Sequence, residues 1–194
     1  MSTWISLPMI QKGWPLRLRQ RLSSAVRERP ADASPHPIPS EVIQNPVWWL
    51  TKDGDLDCLE LYERHYSANT YADGRQRRLF VGPGEKVVLR TRDADAMFVW
   101  RKCIDDCIDQ RTGERQQGVN CAVFRNESPH RSSDLIRQAD AIADLLWPHC
   151  RHYTYVNREK VASKNPGFCF QAAGWSRCGS TAGGLLVLER LTHA

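Results

Sequence analysis

The stretch that decides the fold is Tyr153–Asn157, with the sequence YTYVN, followed after a short loop by Asn165–Trp175, with the sequence NPGFCFQAAGW. The first segment is rich in aromatic and β-branched residues, which favour a strand. The second segment starts with a proline and ends near Gly174, and these residue types are common at the two ends of helices. Together they predict a strand, a loop and a short helix over Pro166–Ala173.

A strand and a long helix precede this stretch. Gly118–Asn126 is mostly apolar, which predicts a strand at the centre of a sheet. Ser133–Trp147 carries its apolar residues at helical spacing, so we expect an amphipathic helix. Ser132 or Ser133 is expected to cap its start, and Pro148 to end it.

The other periodic segments complete the order of elements. They predict a helix over Asp55–Tyr66, strands over Arg78–Glu85, Lys86–Thr91 and Ala96–Arg101, and later strands over Arg151–Val156 and Leu185–Leu191. A hairpin followed by a strand–helix–strand crossover predicts an α/β fold with a mixed, mostly antiparallel sheet flanked by helices.

Residues 1–50 differ in composition from the rest of the chain. Five arginines crowd residues 17–29, and four prolines follow within residues 29–40. Proline removes backbone donors and favours extended chain. We therefore expect a basic arm and a Pro-rich linker over residues 1–50, and a folded domain over residues 51–194.

The chain is moderately basic. Its 27 Lys and Arg residues outnumber its 22 Asp and Glu residues, which gives a net charge of +5, and most of the basic residues are Arg. Such a charge suits ligands that carry phosphate, or DNA as a partner. A disordered, solvated tail is the other explanation of the arm, and the composition favours it.

The seven cysteines show no disulfide-framework spacing. No secretory signal and no run of about 18 apolar residues is found, so we expect reduced thiols, a cytoplasmic location and no membrane partner. Cys103 and Cys107 are four residues apart, but no second ligand pair with metal spacing accompanies them. No metal site is predicted.

In its order of elements, and above all from Gly118 onward, the chain resembles the GNAT acetyltransferase superfamily. In that superfamily a strand, a phosphate-binding loop, a helix, a second strand and a short helix ending in Gly and an aromatic follow one another. The resemblance implies a GNAT-like sheet with a basic N-terminal extension. It also implies acetyl-CoA or a related acyl-CoA as cofactor and donor, and transfer of its acyl group to an amine.

The resemblance also implies a donor site. Phe124, Arg125 and Asn126 would hold the pantetheine arm through their backbone, and the amides from Val123 onward would polarise the thioester carbonyl. The pyrophosphate would rest on the start of the following helix, whose dipole favours anions. The residues implied there are Arg131, Ser132 and Ser133.

Two positions depart from the pattern of the superfamily. Its phosphate loop usually carries two glycines, whereas Ser128–Ser133 contains none. A tyrosine often stands four residues before the glycine that ends the short helix, where it protonates the leaving thiolate. Here that position is Phe170, which has no proton to donate.

Five residues are candidates for catalysis. Glu127 follows the central strand, where a carboxylate can act as general base on an amine, although it can equally be a solvated or capping carboxylate. Tyr155 and Asn157 lie at the end of the next strand, and Tyr155 is a candidate for the missing acid. His65 and Tyr66 end the first helix, which borders the acceptor groove in the resembled fold.

Two other functions stay open. His65 and Tyr66, with the closing YVN and NPGF segments, are similar to a phage-type branch of the superfamily that includes the Mom DNA-modification proteins. Those proteins alter the exocyclic amine of adenine in DNA, and such a role would account for the excess of arginine. The second alternative is a binding module without catalysis, which the glycine-free loop and Phe170 favour.

Overall fold

The computed structural model describes residues 20, 22–24, 34–68, 77–103 and 117–192. It is an α/β protein with one mixed sheet of eight strands. The strands are β1 (His36–Pro37), β2 (Trp49–Thr51), β3 (Glu85–Arg90), β4 (Ala96–Lys102), β5 (Val119–Asn126), β6 (His152–Val156), β7 (Ser176–Ser180) and β8 (Leu186–Arg190). Its helices include α1 (Leu56–Glu63), α2 (Ser132–Leu146) and α3 (Phe168–Ala172).

The sheet order is β1-β2-β3-β4-β5-β6-β8-β7. Strands β1 to β5 pair antiparallel in succession, and β6, β8 and β7 form a second antiparallel set. The two sets meet at the parallel pair β5–β6, whose crossover is α2. The predicted α/β class with a mixed, mostly antiparallel sheet is confirmed.

Each face of the sheet carries its own core. The larger core packs α2 against the sheet, and Trp100 and Phe98 of β4 are fully buried in it. The smaller core packs α1 through Leu61 and Tyr62 against the opposite face of β4 and β5. Alternate residues of a strand point to opposite faces, so β4, buried on both, is apolar throughout its first five residues.

The sheet begins earlier in the chain than the composition suggested. Trp48 is fully buried, and its indole N–H donates to the carbonyl of Leu135 in α2 at 2.9 Å. Ile38 and Val42 are also buried in the larger core. The boundary predicted at residue 50 therefore falls inside the sheet, because apolar residues among the prolines anchor the segment. Most of the predicted basic arm lies outside the described residues.

Three local predictions differ from the structure. Residues 78–84 form bends rather than a strand, since Gly82, Pro83 and Gly84 interrupt the pattern. Strand β7 was not predicted, because all five of its residues are exposed and show no alternation. Helix α2 starts one residue early, with Arg131 rather than a serine at the N-cap and no side-chain capping bond.

The first helix begins as its sequence predicts. The side chain of Asp55 accepts a hydrogen bond from the backbone N–H of Cys58, which is the geometry of an N-cap. In the part of the chain that the structure describes, no helix is both long and apolar enough to cross a membrane.

Candidate functional site

The site is built on the parting of β5 and β6. The two strands pair in parallel only from Val119 to Cys121, opposite His152 to Thr154. Beyond that point β5 runs on to Asn126 and β6 to Val156 without further pairing between them. A gap therefore opens in the middle of the sheet, at the carboxyl ends of two neighbouring strands, where α/β sheets commonly bind ligands.

A β-bulge lies at the start of this gap. Cys121 pairs with Trp100 and Val123 with Val99, so Ala122 of β5 is the extra residue. A bulge bends its strand and increases the local twist. The bulge therefore turns the part of β5 from Val123 to Asn126 away from β6.

Backbone groups of β5 face the gap. The N–H of Glu127 donates to Asp95 on the β4 side at 2.7 Å. Because the backbone groups of a strand alternate in direction, those of Phe124 and Asn126 point the other way, toward β6. Asn126 offers a donor and an acceptor to an amide-containing ligand, and Phe124 offers its N–H, since its carbonyl accepts from the His65 ring.

A pocket of about 120 Å³ occupies the gap. No Asp, Glu, Lys or Arg is among its lining residues, which are His65, Tyr66, Cys121, Ala122, Phe124, Thr154, Tyr155, Val156, Val161, Gly167, Cys169 and Phe170.

His65 enters the pocket from the turn that follows α1. Its Nδ1 lies 3.2 Å from the N–H of Ser67, which donates to it, and 2.7 Å from the Ser67 hydroxyl. Burial and the nearby charge of Arg125 lower the pKa of His65 to about 4, and a hydrogen bond to the backbone of Phe124 opposes this. His65 is therefore neutral at pH 7.

Tyr66 stands beside it, with the two ring centroids 4.3 Å apart. Burial raises the pKa of the Tyr66 phenol, and a hydrogen bond from the backbone of Asn157 partly offsets the rise. Because α1 packs next to β5 and Asn157 follows β6, Tyr66 reaches across the gap between the strands. It keeps its proton at neutral pH.

The floor of the pocket is formed by small polar side chains. The hydroxyl of Thr154 donates to the carbonyl of Cys121 at 3.0 Å, where β5 and β6 still pair. Burial raises the pKa of both the Cys121 and Cys169 thiols. Both are therefore protonated at neutral pH and are weak nucleophiles.

Phe170 closes the side formed by α3. It is buried, and its ring packs against Phe124 at 5.8 Å and against Trp175 at 4.9 Å, measured between centroids. It also lines the pocket. The residue that replaces the expected tyrosine is thus an apolar wall.

Glu127 lies on the rim rather than in the pocket. Arg64 binds both of its carboxylate oxygens, at 3.0 and 2.8 Å, and Arg125 approaches one of them at 2.6 Å. Hydrogen bonds from these two arginines lower its pKa to about 2. A general base works best with a pKa near the working pH, so this environment makes Glu127 a poor one.

Asn126 organises the loop before α2. Its amide N–H groups donate to the carbonyl of His130 at 2.8 Å and to the Ser132 hydroxyl at 2.9 Å. Its side-chain oxygen accepts from the N–H and the hydroxyl of Ser128, at 3.0 and 2.6 Å. One side chain therefore fixes a loop that contains no glycine.

The start of α2 faces the same end of the sheet. In the hydrogen bonds found among the described residues, the backbone N–H groups of Arg131, Ser132 and Ser133 do not act as donors. Unused N–H groups and the helix dipole make such an end suitable for an anion. Arg131 is exposed there, whereas Ser133 is buried.

Of the twelve residues proposed from the sequence, the pocket brings together His65, Tyr66, Phe124 and Tyr155. The others surround it: Glu127 and Arg125 on the rim, Asn157 beyond β6, Val123 in the smaller core, and Asn126, Arg131, Ser132 and Ser133 at the start of α2. The floor residues Cys121, Thr154 and Cys169 were not proposed. Cys121 and Thr154 lie on strands that were already predicted, where their alternation is the only sequence signal, and Cys169 lies on the predicted short helix.

No group of three His, Cys, Asp or Glu residues within the described ranges is placed to hold a metal ion. Cys107, half of the cysteine pair noted in the sequence, lies outside those ranges. No protein family, curated protein or solved structure matches this chain.

Proposed function

We propose that this protein is an acyltransferase that binds an acyl-CoA-type thioester in the gap between β5 and β6 and transfers the acyl group to an amine. The observation that carries the proposal is the parting of the two strands after Cys121 and Thr154. It exposes a strand edge inside the sheet, at the mouth of an uncharged pocket. An amide-rich, extended ligand arm fits such an edge by pairing with it as a strand would.

Three parts of the site correspond to the three parts of an acyl-CoA donor, which are the pantetheine arm, the pyrophosphate and the acyl group. Backbone groups of Phe124 and Asn126 face the place where the arm would run. The N–H groups at the start of α2 lie beyond the end of β5, where a pyrophosphate would rest. The pocket of about 120 Å³ then receives a short acyl group.

The order of elements supports the same proposal. Strand β5, the loop held by Asn126, helix α2, strand β6 and helix α3 follow one another, and Gly174 and Trp175 come directly after. This is the succession on which the resemblance to GNAT acetyltransferases rests. The glycine-free loop is compatible with a donor, because Asn126 replaces backbone flexibility by side-chain hydrogen bonds.

The low pKa of Glu127 changes its part in the reaction. A carboxylate with a pKa of about 2 does not take a proton from an ammonium group at neutral pH. Its contacts tie Arg64 of the turn after α1 to Arg125 of β5. We assign Glu127 to holding the rim of the pocket, and the amine enters as the free base.

A thermal-shift experiment with acetyl-CoA tests the proposal. A ligand at about 100 times its dissociation constant stabilises the folded state by roughly 2.7 kcal/mol. We expect this stabilisation in the wild type and its loss in Val161→Trp, whose side chain would fill the pocket. The matched control is Ala162→Trp, which introduces the same side chain at the adjacent exposed position and should keep the shift.

The absence of any shift with millimolar acetyl-CoA would overturn the proposal. An equal shift in Val161→Trp would place the donor elsewhere on the surface. Melting of the two variants without ligand shows whether each still folds.

A further inference from the structure

Transfer from a thioester needs a source for one proton. The sulfur departs as a thiolate, and a positioned acid that protonates it contributes about 10²–10⁴-fold to the rate. The α3 side of the pocket offers the ring of Phe170, which has no proton to donate, and the thiol of Cys169. A thiol is a weak hydrogen-bond donor, so the phenols of the pocket are the better candidates for the acid.

Tyr66 occupies the opposite wall. It lines the pocket together with Cys121 and Cys169, and its phenol receives a hydrogen bond from the backbone of Asn157. These three residues belong to β5, α3 and the end of β6, so the hydroxyl lies in the gap itself. A phenol oxygen that accepts an N–H keeps its own proton for another acceptor.

The same hydrogen bond suits the product of proton donation. A phenolate is stabilised by an N–H that already points at its oxygen, with no reorganisation during the reaction. Burial raises the pKa of Tyr66 and keeps the proton in place until a thiolate forms, and the hydrogen bond from the backbone of Asn157 partly opposes the rise.

His65 fixes the direction of Tyr66. Its ring lies against the tyrosine at 4.3 Å, its Nδ1 accepts the Ser67 N–H, and its other side bonds to the backbone of Phe124. The backbone N–H of His65 also donates to the carbonyl of Tyr62 at 2.8 Å. The turn that carries Tyr66 is thereby joined to β5 and to α1.

We propose that Tyr66 is the catalytic acid of the acyl transfer and that His65 is its positioning residue. The amine nitrogen attacks the thioester carbon, so that a C–N bond forms and the C–S bond breaks. The sulfur takes the phenol proton of Tyr66, and the phenolate recovers a proton from the ammonium nitrogen through solvent. This inference rests on the proposed function. It assigns the acid to the turn after α1, rather than to the α3 position that Phe170 occupies here and that a tyrosine often occupies in the resembled superfamily.

Tyr155 is the competing phenol in the pocket. It lies on β6, where its ring packs edge-on against Tyr153 at 5.7 Å. A test of Tyr66 therefore includes the Tyr155→Phe variant. Tyr62 is the matched control, since it loses the same oxygen from α1, lies outside the pocket, and donates only a 3.3 Å bond to the Ser67 carbonyl.

The experiment measures thiol release from acetyl-CoA by the full-length wild type and by Tyr66→Phe, Tyr155→Phe, Tyr62→Phe and His65→Asn. Acceptors are a panel of small primary amines and 2′-deoxyadenosine, and hydrolysis without an amine reports the same loss of the thiolate. Binding of CoA is measured in parallel by calorimetry.

We expect Tyr66→Phe to lower kcat by about 10²–10⁴-fold with little change in CoA affinity, and Tyr62→Phe to stay within about 3-fold. Misplacing a reacting group costs up to about 100-fold, so His65→Asn should lower kcat by about 10- to 100-fold. Because His65 is already neutral above its pKa of about 4, the shape of the pH–rate profile should not change in that variant.

Three results overturn the assignment. They are a Tyr66→Phe enzyme with wild-type kcat, a larger loss in Tyr155→Phe than in Tyr66→Phe, and loss of one limb of the pH–rate profile in His65→Asn. If CoA binds and only these results appear, the acyl transfer stands and the acid lies elsewhere. If the wild type binds neither CoA nor acetyl-CoA, the proposed function falls, and the assignment falls with it.

Discussion

The two halves of the β5–β6 pair have opposite chemistry. Up to Cys121 and Thr154 the two strands are hydrogen-bonded, and after those residues in the chain they part around the pocket. The closed half buries the ionisable side chains of Asp140 and His152, whereas the lining of the open half contains no Asp, Glu, Lys or Arg. Ionisable groups thus hold the sheet together where no ligand enters, and the open half faces the gap without any of those four charged residue types.

One buried carboxylate, that of Asp140, links the elements of the closed half. Asp140 of α2 accepts from His152 Nδ1 at 2.8 Å and from the indole N–H of Trp175 at 2.9 Å. Asp144, one turn later, lies 3.4 Å from His152 Nε2 and binds both terminal nitrogens of Arg190. These contacts connect α2, β6, β8 and the chain after α3. They fix the base from which β5 and β6 diverge.

The largest effect should come from breaking this closed half. Replacing Asp140 with Ala removes the acceptor of two buried donors, and each unsatisfied buried group costs about 1–3 kcal/mol. We expect the free energy of unfolding to fall by roughly 2–6 kcal/mol, measured by urea denaturation. A loss below about 1 kcal/mol would mean that the network is not what holds the strands together.

The control for that change is Asp134→Ala on the same helix. Asp134 is exposed and pairs with Arg137 one turn away. Exposed ion pairs contribute about 0–1 kcal/mol, so the control should unfold almost as the wild type does. The contrast between the two aspartates separates burial from charge.

A smaller effect is expected at the rim of the open half. The pKa of Glu127 falls from its ordinary 4.5 to about 2 in the folded protein because Arg64 and Arg125 bind it. A lowered carboxyl pKa gives stability that is complete above the unfolded value and is lost as the pH falls toward 2. Glu127→Gln should therefore flatten the decline in stability between about pH 4.5 and 2, by at most about 1 kcal/mol because the pair is exposed.

Chemical denaturation of the wild type and of Glu127→Gln at several pH values measures this difference. The variant should match the wild type below pH 2, where the carboxyl is protonated in the folded state as well as in the unfolded state. If the difference in the free energy of unfolding between the two proteins grew as the pH fell, the pKa of Glu127 would not be lowered by Arg64 and Arg125.

The elements around the gap could be predicted from the sequence more readily than those at the edges of the sheet. The strands and helices around the gap were predictable because their apolar residues alternate or recur at helical spacing, as in Val119–Asn126 and Ser132–Leu146. Strand β7 has no such pattern, since both of its faces are exposed. The early strands β1 and β2 were hidden by the prolines that surround Ile38 and precede Trp48.

The site was predictable only in part. His65, Tyr66 and Tyr155 could be proposed because they lie near the ends of predicted elements, and Phe124 because of the family resemblance in the order of elements. The low pKa of Glu127 could not, since it depends on Arg64, which is 63 positions away in the chain. Contacts between distant residues decide protonation, and no local pattern records them.

The most direct test of the central claim is amide hydrogen exchange, resolved by residue, with and without acetyl-CoA. The account predicts new protection at the amides of Phe124 and Asn126, which face the gap, and at Ser132 and Ser133 at the start of α2. The amides of Val123 and Arg125, which face β4, should change little. Protection confined to other parts of the sheet, or none at saturating acetyl-CoA, would contradict a donor site between β5 and β6.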